Sequence, residues 1–278
     1  MNILQALVLG VVEGTTEFLP VSSTGHLTVA EKLLGLRVDD AGVTAFTAVI
    51  QVGAIAAVLV FFRADIARIV AAFVRALVRP AARGTVDARL GWYVIVGSVP
   101  IGVAGLLGLH VVSGPLRSLW VVAVALIGWS AVMALAERRA SQVRGEQDLR
   151  LRDAVLVGLV QVVALVPGVS RSGATISGGL MLGLTRVEAT RLSFFLSIPA
   201  LLAAGGFEAV TSAGAISESV GWPATVLATA VSFAVAYASI AWLLRLVARH
   251  RITVFIGYRI AAGVALLILL GVGALTAT

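Results

Sequence analysis

The sequence predicts an all-α polytopic membrane protein: six transmembrane helices plus two re-entrant helical hairpins, arranged as an inverted-topology repeat in a single domain over residues 1–278. Three observations carry this prediction. Hydrophobic residues make up 59% of the chain and charged residues 13%, with a mean hydropathy of +1.04, whereas a soluble domain carries roughly 25% charged residues. The charges gather in a few segments between long apolar runs. Two interrupted apolar regions, 1–42 and 154–191, also match one another in a single ungapped register.

Six charge-poor windows are long enough, as helices, to cross about 30 Å of hydrocarbon: Val43–Phe62, Leu90–Val112, Ser118–Ala136, Leu192–Thr211, Gly221–Leu244 and Val254–Ala277. The formal charge of +7 is almost entirely arginine, with Lys32 the one lysine. Six arginines lie between Arg63 and Arg89, five between Arg138 and Arg152, and three between Arg245 and Arg251. The segments Ser113–Arg117 and Ser212–Gly221 hold one and none. Cytoplasmic loops carry the Lys/Arg excess, so the rich loops are expected inside and the poor ones outside, with both termini outside. No aromatic-rich basic surface points to nucleic acid, and the bilayer is the expected surroundings. The absence of cysteine removes disulfides, thiolate catalysis and Cys-based metal sites. With no basic n-region, and with Glu13 interrupting the first apolar run, no cleavable signal peptide is expected.

Residues 154–191 must start and end in the cytoplasm. Their apolar run breaks at Pro167-Gly168 and turns polar at Ser170-Arg171-Ser172-Gly173, which reads as a half-helix in, a turn at depth and a half-helix out. Residues 1–42 read the same way from the outer side: a half-helix ending near Leu19-Pro20, a polar turn, and a return over Leu27–Leu36. Irregular backbone at that depth survives only when buried in protein or lining a watery cavity. Shifted by 148 residues, Ala6 meets Ala154, Gly10 meets Gly158, Glu13 meets Gln161, Ser22 meets Ser170, Gly25 meets Gly173, and Leu34-Gly35-Leu36 meets Leu182-Gly183-Leu184. The repeats span approximately 1–62 and 149–211. Three spans separate them, so their orientations are opposed, and in such folds the broken helices meet near the midplane to build the site.

The chemistry-bearing residues fall in these turns. Glu13 and Glu17 share a helix face and, as stacked carboxylates at depth, need a proton, donors or a cation between them; an oxygen-ligated divalent metal fits. Ser22, Ser23, Thr24 and Gly25 offer hydroxyls and inward N–H groups at a half-helix N-terminus, an anion-binding arrangement, although capping is the commoner fate of such serines. His26 is a candidate acid, base or nucleophile, while His110 and His250 sit at span ends. Arg171, deep by topology, needs an anion: a carboxylate of the other repeat, or a phosphate gripped bidentately. Ser170, Ser172, Gly173 and Thr175 complete that pocket. Arg259 is expected to snorkel to the interface or to pair with a carboxylate. An acidic, hydroxylated turn facing an arginine turn suits phosphoryl chemistry.

Glu13-Gly14-x-Thr16-Glu17-Phe18-Leu19-Pro20-x-Ser22-Ser23-Thr24-Gly25-His26-Leu27 and Pro167-Gly168-x-Ser170-Arg171-Ser172-Gly173-x-Thr175 resemble the two signature motifs of the bacterial undecaprenyl-diphosphate phosphatase family, the BacA-type bacitracin-resistance proteins. The resemblance extends along the whole chain. It implies hydrolysis of undecaprenyl diphosphate to undecaprenyl phosphate and inorganic phosphate, recycling the lipid carrier of peptidoglycan synthesis. It also implies a divalent cation (Mg²⁺ or Ca²⁺), residence in the bacterial cytoplasmic membrane with the site open to the periplasmic side, and, on resemblance alone, a homodimer. The family's catalytic positions fall on Glu13, Glu17, Ser23, His26 and Arg171. Ser23 attacking the terminal phosphorus with His26 or Glu17 taking its proton, His26 as nucleophile, and direct attack by water all remain open. The rival class is a transporter or flippase for a lipid phosphate or small anion, because inverted repeats with broken helices are common transporter architecture. In every version Glu17, Ser23 and His26 are expected in one pocket with Arg171.

Overall fold

The computed structural model describes residues 1–108, 116, 118–211, 216 and 220–277, the side chains of 204 and 207–211 excepted. His110 and most of the arginine-poor segments 113–117 and 212–221 lie outside the described residues. The described chain is helical, in the order α1 (Ile3–Thr16), α2 (Ser23–Leu33), α3 (Ala41–Phe61), α4 (Arg63–Val78), α5 (Val86–Leu107), α6 (Leu119–Arg139), α7 (Leu151–Val162), α8 (Arg171–Met181), α9 (Arg186–Thr211), α10 (Trp222–Arg249) and α11 (Thr253–Gly271). By length and composition α3, α5, α6, α10 and α11 are each able to cross a membrane. The sixth expected span, Leu192–Thr211, lies within the 26-residue α9. The chain is a multi-pass membrane protein.

Local chemistry sets several ends. The Asn2 side chain accepts from Gln5 N and the Gln5 side chain from Asn2 N, a reciprocal cap on α1. Asp40 caps α3 by accepting from Gly42 N and Val43 N, so that helix starts two residues before the apolar window. The arginine-rich stretch after Phe62, read as loop, is helical over Arg63–Val78. It is amphipathic, burying Ile69, Ala72 and Ala76 while Arg63, Arg68 and Arg75 stay exposed, and counting its arginines alone hides that periodicity.

The two broken segments have the same shape. α1 stops at Thr16 and α2 starts at Ser23, earlier at both ends than the apolar pattern indicates. α2 and α8 have equal length and begin 148 residues apart. Ser22 and Ser170, each just ahead of its helix, have φ of 77° and 76°, and Gly35 and Gly183, just beyond, have 70° and 84°. A serine in the left-handed region is strained, and the same strain at matched positions marks a shared backbone device. Packing matches too. α1 lies against α10, with Gly10 so close that a Cβ there would fall 2.6 Å from the Ala228 carbonyl oxygen. α7 lies against α5, where a Cβ on Gly158 would fall 2.2 Å from the Gly97 carbonyl oxygen.

Contacts at the helix ends separate two ends of the molecule. At one, Gln5 Nε2 donates to Leu34 O (2.9 Å), Lys32 Nζ to Thr276 O (3.0 Å) and Leu119 N to Ala277 O (2.9 Å). These bonds gather the start of α1, the end of α2 and the C-terminal segment. At the other, Arg144 pairs with Asp153 and donates to Leu182 O (2.7 Å), Arg191 pairs with Asp65 (3.0 Å), and Arg186 pairs with Glu137. That end collects the start of α7, the end of α8 and the arginine-rich segments.

Replacing Gly158 by Ala should therefore cost about 1–3 kcal/mol through overpacking, read as a lower unfolding midpoint in detergent. Gly257→Ala is the control. It sits in α11 with nothing within 4 Å of its added carbon, and should leave the midpoint unchanged or raise it, since Ala exceeds Gly in helix propensity by roughly 0.8–1 kcal/mol.

Candidate active site

The two turns meet. Gly168 N donates to Ser22 Oγ (3.1 Å) and Ser172 Oγ donates to Leu19 O (2.8 Å), each bond joining one turn to the other. Arg259 locks the junction from α11. Its NH1 donates to Pro20 O (3.0 Å), its NH2 to Gly168 O (2.8 Å) and Ala125 O (3.4 Å), and its Nε to Ser130 Oγ (3.3 Å). Pro20 and Gly168 are themselves 148 residues apart. Arg259 is wholly buried. It neither snorkels nor pairs with a carboxylate, because four oxygens already surround it.

Glu17 bridges the two segments. It ends α1, with its N–H on Glu13 O, so its side chain projects where the turn begins. Oε1 accepts from Arg171 NH2 (2.8 Å) and Oε2 accepts from Ser23 Oγ (2.5 Å). Ser23 and Arg171 are the first residues of α2 and α8 and lie 148 residues apart. Thus matched positions of the two segments grip the two oxygens of one carboxylate. These three residues line a cavity of about 150 Å³ with Ser22, Thr24, Gln51, Ser170 and the apolar Ile101, Ala164, Pro167 and Leu201.

The hydroxyls divide between capping and exposure. Ser170 Oγ accepts from Gly173 N (3.1 Å) and caps α8, as the commoner fate has it, with Ser172 Oγ 3.1 Å away. Thr175 Oγ1 donates to Arg171 O (2.9 Å) and also contacts Ser193 Oγ (2.6 Å); with Ser172 and Gly173 it is buried scaffold behind Arg171. Ser22 caps nothing, because its oxygen serves Gly168, and no side chain caps α2. The N-terminal N–H groups of that helix stay available to an anion, with Ser23 and Thr24 on the cavity wall. Gly25 is packed so tightly that a Cβ would fall 2.8 Å from Val122.

His26 departs from expectation. Its Nδ1–H donates to Ser22 O (2.7 Å), leaving Nε2 opposite the Tyr258 hydroxyl at 2.6 Å, with the two rings stacked. It faces a separate, mainly apolar cavity of about 330 Å³ between α1, α2, α6 and α11 and does not line the Arg171 cavity. Glu13 also departs. It is 1% exposed, Oε1 has no hydrogen-bond partner, and it lines an adjoining polar chamber rather than sharing ligands with Glu17. Gln161, its counterpart, is buried with neither amide atom bonded. Sequence reasoning missed Tyr258, Gln51 and Glu31; a lone amide in the middle of an apolar span was the available signal for Gln51.

The family model described as bacitracin resistance protein BacA matches residues 6–265. The chain belongs to the BacA family. Among BacA-family relatives, it is 55% identical over 278 residues to "Undecaprenyl-diphosphatase 3" of Frankia casuarinae, covering the whole of both chains. It is 57% identical over 264 residues to "Undecaprenyl-diphosphatase" of Acidothermus cellulolyticus, covering 95% of each. It is 55% identical over 280 residues to "Undecaprenyl-diphosphatase 1" of Streptomyces coelicolor, covering 99% of this chain and 98% of the relative.

Removing the Arg259 side chain strands buried acceptors at roughly 1–3 kcal/mol each. Arg259→Ala is therefore expected to lose most folded protein on size exclusion in detergent. Arg259→Lys, which keeps the charge but not the planar fork, should fold with a lowered unfolding midpoint.

Proposed function

We propose that this chain is an undecaprenyl-diphosphatase, hydrolysing undecaprenyl diphosphate to undecaprenyl phosphate and inorganic phosphate, and so recycling the lipid carrier for peptidoglycan synthesis and conferring bacitracin resistance. The observation that carries the reading is Glu17 held between Ser23 and Arg171, and the names of the BacA-family relatives agree with it. A diphosphate entering the cavity competes for Arg171, whose guanidinium suits a phosphate bidentately, while the uncapped start of α2 and its hydroxyls hold further oxygens. Glu17, released from Arg171, takes the Ser23 proton. The Ser23 oxygen bonds to the terminal phosphorus, the anhydride P–O bond breaks, and undecaprenyl phosphate leaves. Water then cleaves the phosphoserine, liberating phosphate. Glu17 is favoured over His26 as base because it already accepts from Ser23, whereas His26 is engaged by Ser22 and Tyr258.

A divalent cation, Mg²⁺ or Ca²⁺, would neutralise diphosphate charge. Among the described residues no three of His, Asp and Glu converge, so carboxylates of the Glu13–Glu17 segment would hold it with substrate oxygens and water. The orphaned, buried Glu13 Oε1 beside hydroxyl and amide oxygens suits such a hard ion. The α1–α2 and α7–α8 segments are proposed as re-entrant hairpins of an inverted repeat over about 1–62 and 149–211 in one membrane domain, entering from opposite faces. The matched φ angles, helix lengths and glycine contacts support this. The arginine-rich end is then cytoplasmic, both termini lie outside, and the site opens to the periplasmic side of the cytoplasmic membrane. The polyprenyl tail lies along apolar surface between helices, and a homodimer is proposed from kinship alone.

Purified protein supplied with undecaprenyl diphosphate and Mg²⁺ should release phosphate. Ser23→Ala and Arg171→Ala should each lower kcat/KM by at least about 10²-fold, with unchanged unfolding midpoint for Ser23→Ala. Retained turnover in Ser23→Ala would sink serine attack. Substrate binding without release by the wild type would favour the transporter or flippase.

A further inference from the structure

The 21-residue α3 carries three polar side chains, Thr44, Thr47 and Gln51. Spaced three and four apart, they form one stripe, and all three line the chamber of about 260 Å³ that adjoins the Arg171 cavity. Gln51 ends the stripe at the middle of the helix; beyond it that face is apolar, at Ala54, Ile55 and Val58. It alone of the three also lines the Arg171 cavity. The other polar groups there are engaged. Glu17 bonds Ser23 and Arg171, Ser22 receives Gly168 N, and Ser170 caps α8. The Gln51 amide makes no hydrogen bond to a described residue. An amide without a partner in the middle of a membrane span is costly, and the packing of α3 falls to other residues, among them Phe46, Ile50 and Gly53. An amide placed this way answers to a ligand.

We infer that Gln51 binds the diphosphate of the substrate, its side-chain NH2 donating to a phosphate oxygen in the Arg171 cavity. This rests on the diphosphatase reading, which supplies the diphosphate. An amide offers two donors without a charge. A carboxylate at the same place would repel the phosphate and stand beside Glu17, like charge on like charge. Arg171 and the start of α2 grip the diphosphate from the two turns, and Gln51 adds a third element, α3, outside both signature motifs.

The test takes three readouts from purified protein: phosphate release from undecaprenyl diphosphate with Mg²⁺, binding of radiolabelled undecaprenyl diphosphate in a Ser23→Ala background, and the unfolding midpoint in detergent. Gln51→Met keeps an unbranched side chain and removes the amide. It should lower kcat/KM and weaken binding at least about tenfold, the worth of a hydrogen bond to a charged group. Its midpoint should hold or rise, because no bond within the protein is lost. Gln51→Glu should lose more activity, since it sets a carboxylate against phosphate. A merely structural amide gives the opposite pattern, a lower midpoint with unchanged binding. Binding within about twofold of the Ser23→Ala parent, or a midpoint that falls, in Gln51→Met, or in Gln51→Leu where Gln51→Met does not fold, would overturn the assignment, as would failure of both to fold. Phosphate release by the wild type with Gln51-independent binding keeps the diphosphatase and removes Gln51 from its site. Gln51-dependent binding without any release does the reverse, and neither binding nor release removes both.

Discussion

The buried guanidinium of Arg259 is the constraint on which the site depends. Two non-helical turns meet inside a membrane protein, where an unsatisfied backbone carbonyl costs several kcal/mol. Pro20 O and Gly168 O are such carbonyls, and one planar fork answers both. Because a guanidinium holds its donors in fixed directions, it satisfies the turns only at one separation. That separation sets how far Glu17 stands from Arg171 and Ser23. The cross-turn bonds from Gly168 N and Ser172 Oγ have the same effect over shorter reach. The Glu17–Ser23–Arg171 geometry is thus a by-product of solving a backbone problem.

Strain enters at matched points. Ser22 and Ser170 occupy left-handed backbone that glycine would adopt freely, yet each needs a side chain: Ser22 to receive Gly168 N, Ser170 to cap α8. The strained backbone aims the following residue, Ser23 or Arg171, inward at the start of its helix. Both then land on Glu17. A glycine at either serine would relax the turn and leave a donor unanswered.

Much of this was legible in the sequence, for reasons specific to each element. Long apolar runs and clustered arginines located the spans, because a bilayer imposes length and charge rules stronger than any local preference. The 148-residue register placed the Ser22 turn against the Ser170 turn and so brought Arg171 to Glu17. What stayed hidden depended on which neighbour a helix face meets. His26 follows Ser23 by three residues on α2, yet its ring is captured by Tyr258, 232 residues away, and periodicity names a face, not its partner. Arg259 looked like a snorkelling residue near a span end, because the carbonyls that hold it belong to three distant segments. The helix α4 was lost among arginines counted for topology.

The departures from symmetry explain why the two segments bring different groups to their junction. In the 148-residue register Pro20 stands where the other segment has Gly168. Proline has no N–H, so Ser170 cannot receive the bond that Ser22 receives, and it caps its own helix instead. Ser22, committed across the junction, leaves α2 uncapped and open to an anion. In that register Glu13 corresponds to Gln161 and Glu17 to Leu165, so the carboxylates at the junction lie in one segment while Arg171 supplies the positive charge from the other. A symmetric version would bury two carboxylate sets or two arginines against each other, at a cost of several kcal/mol for each unpaired charge. Dividing the charges between the two segments turns that repulsion into the Glu17–Arg171 pair.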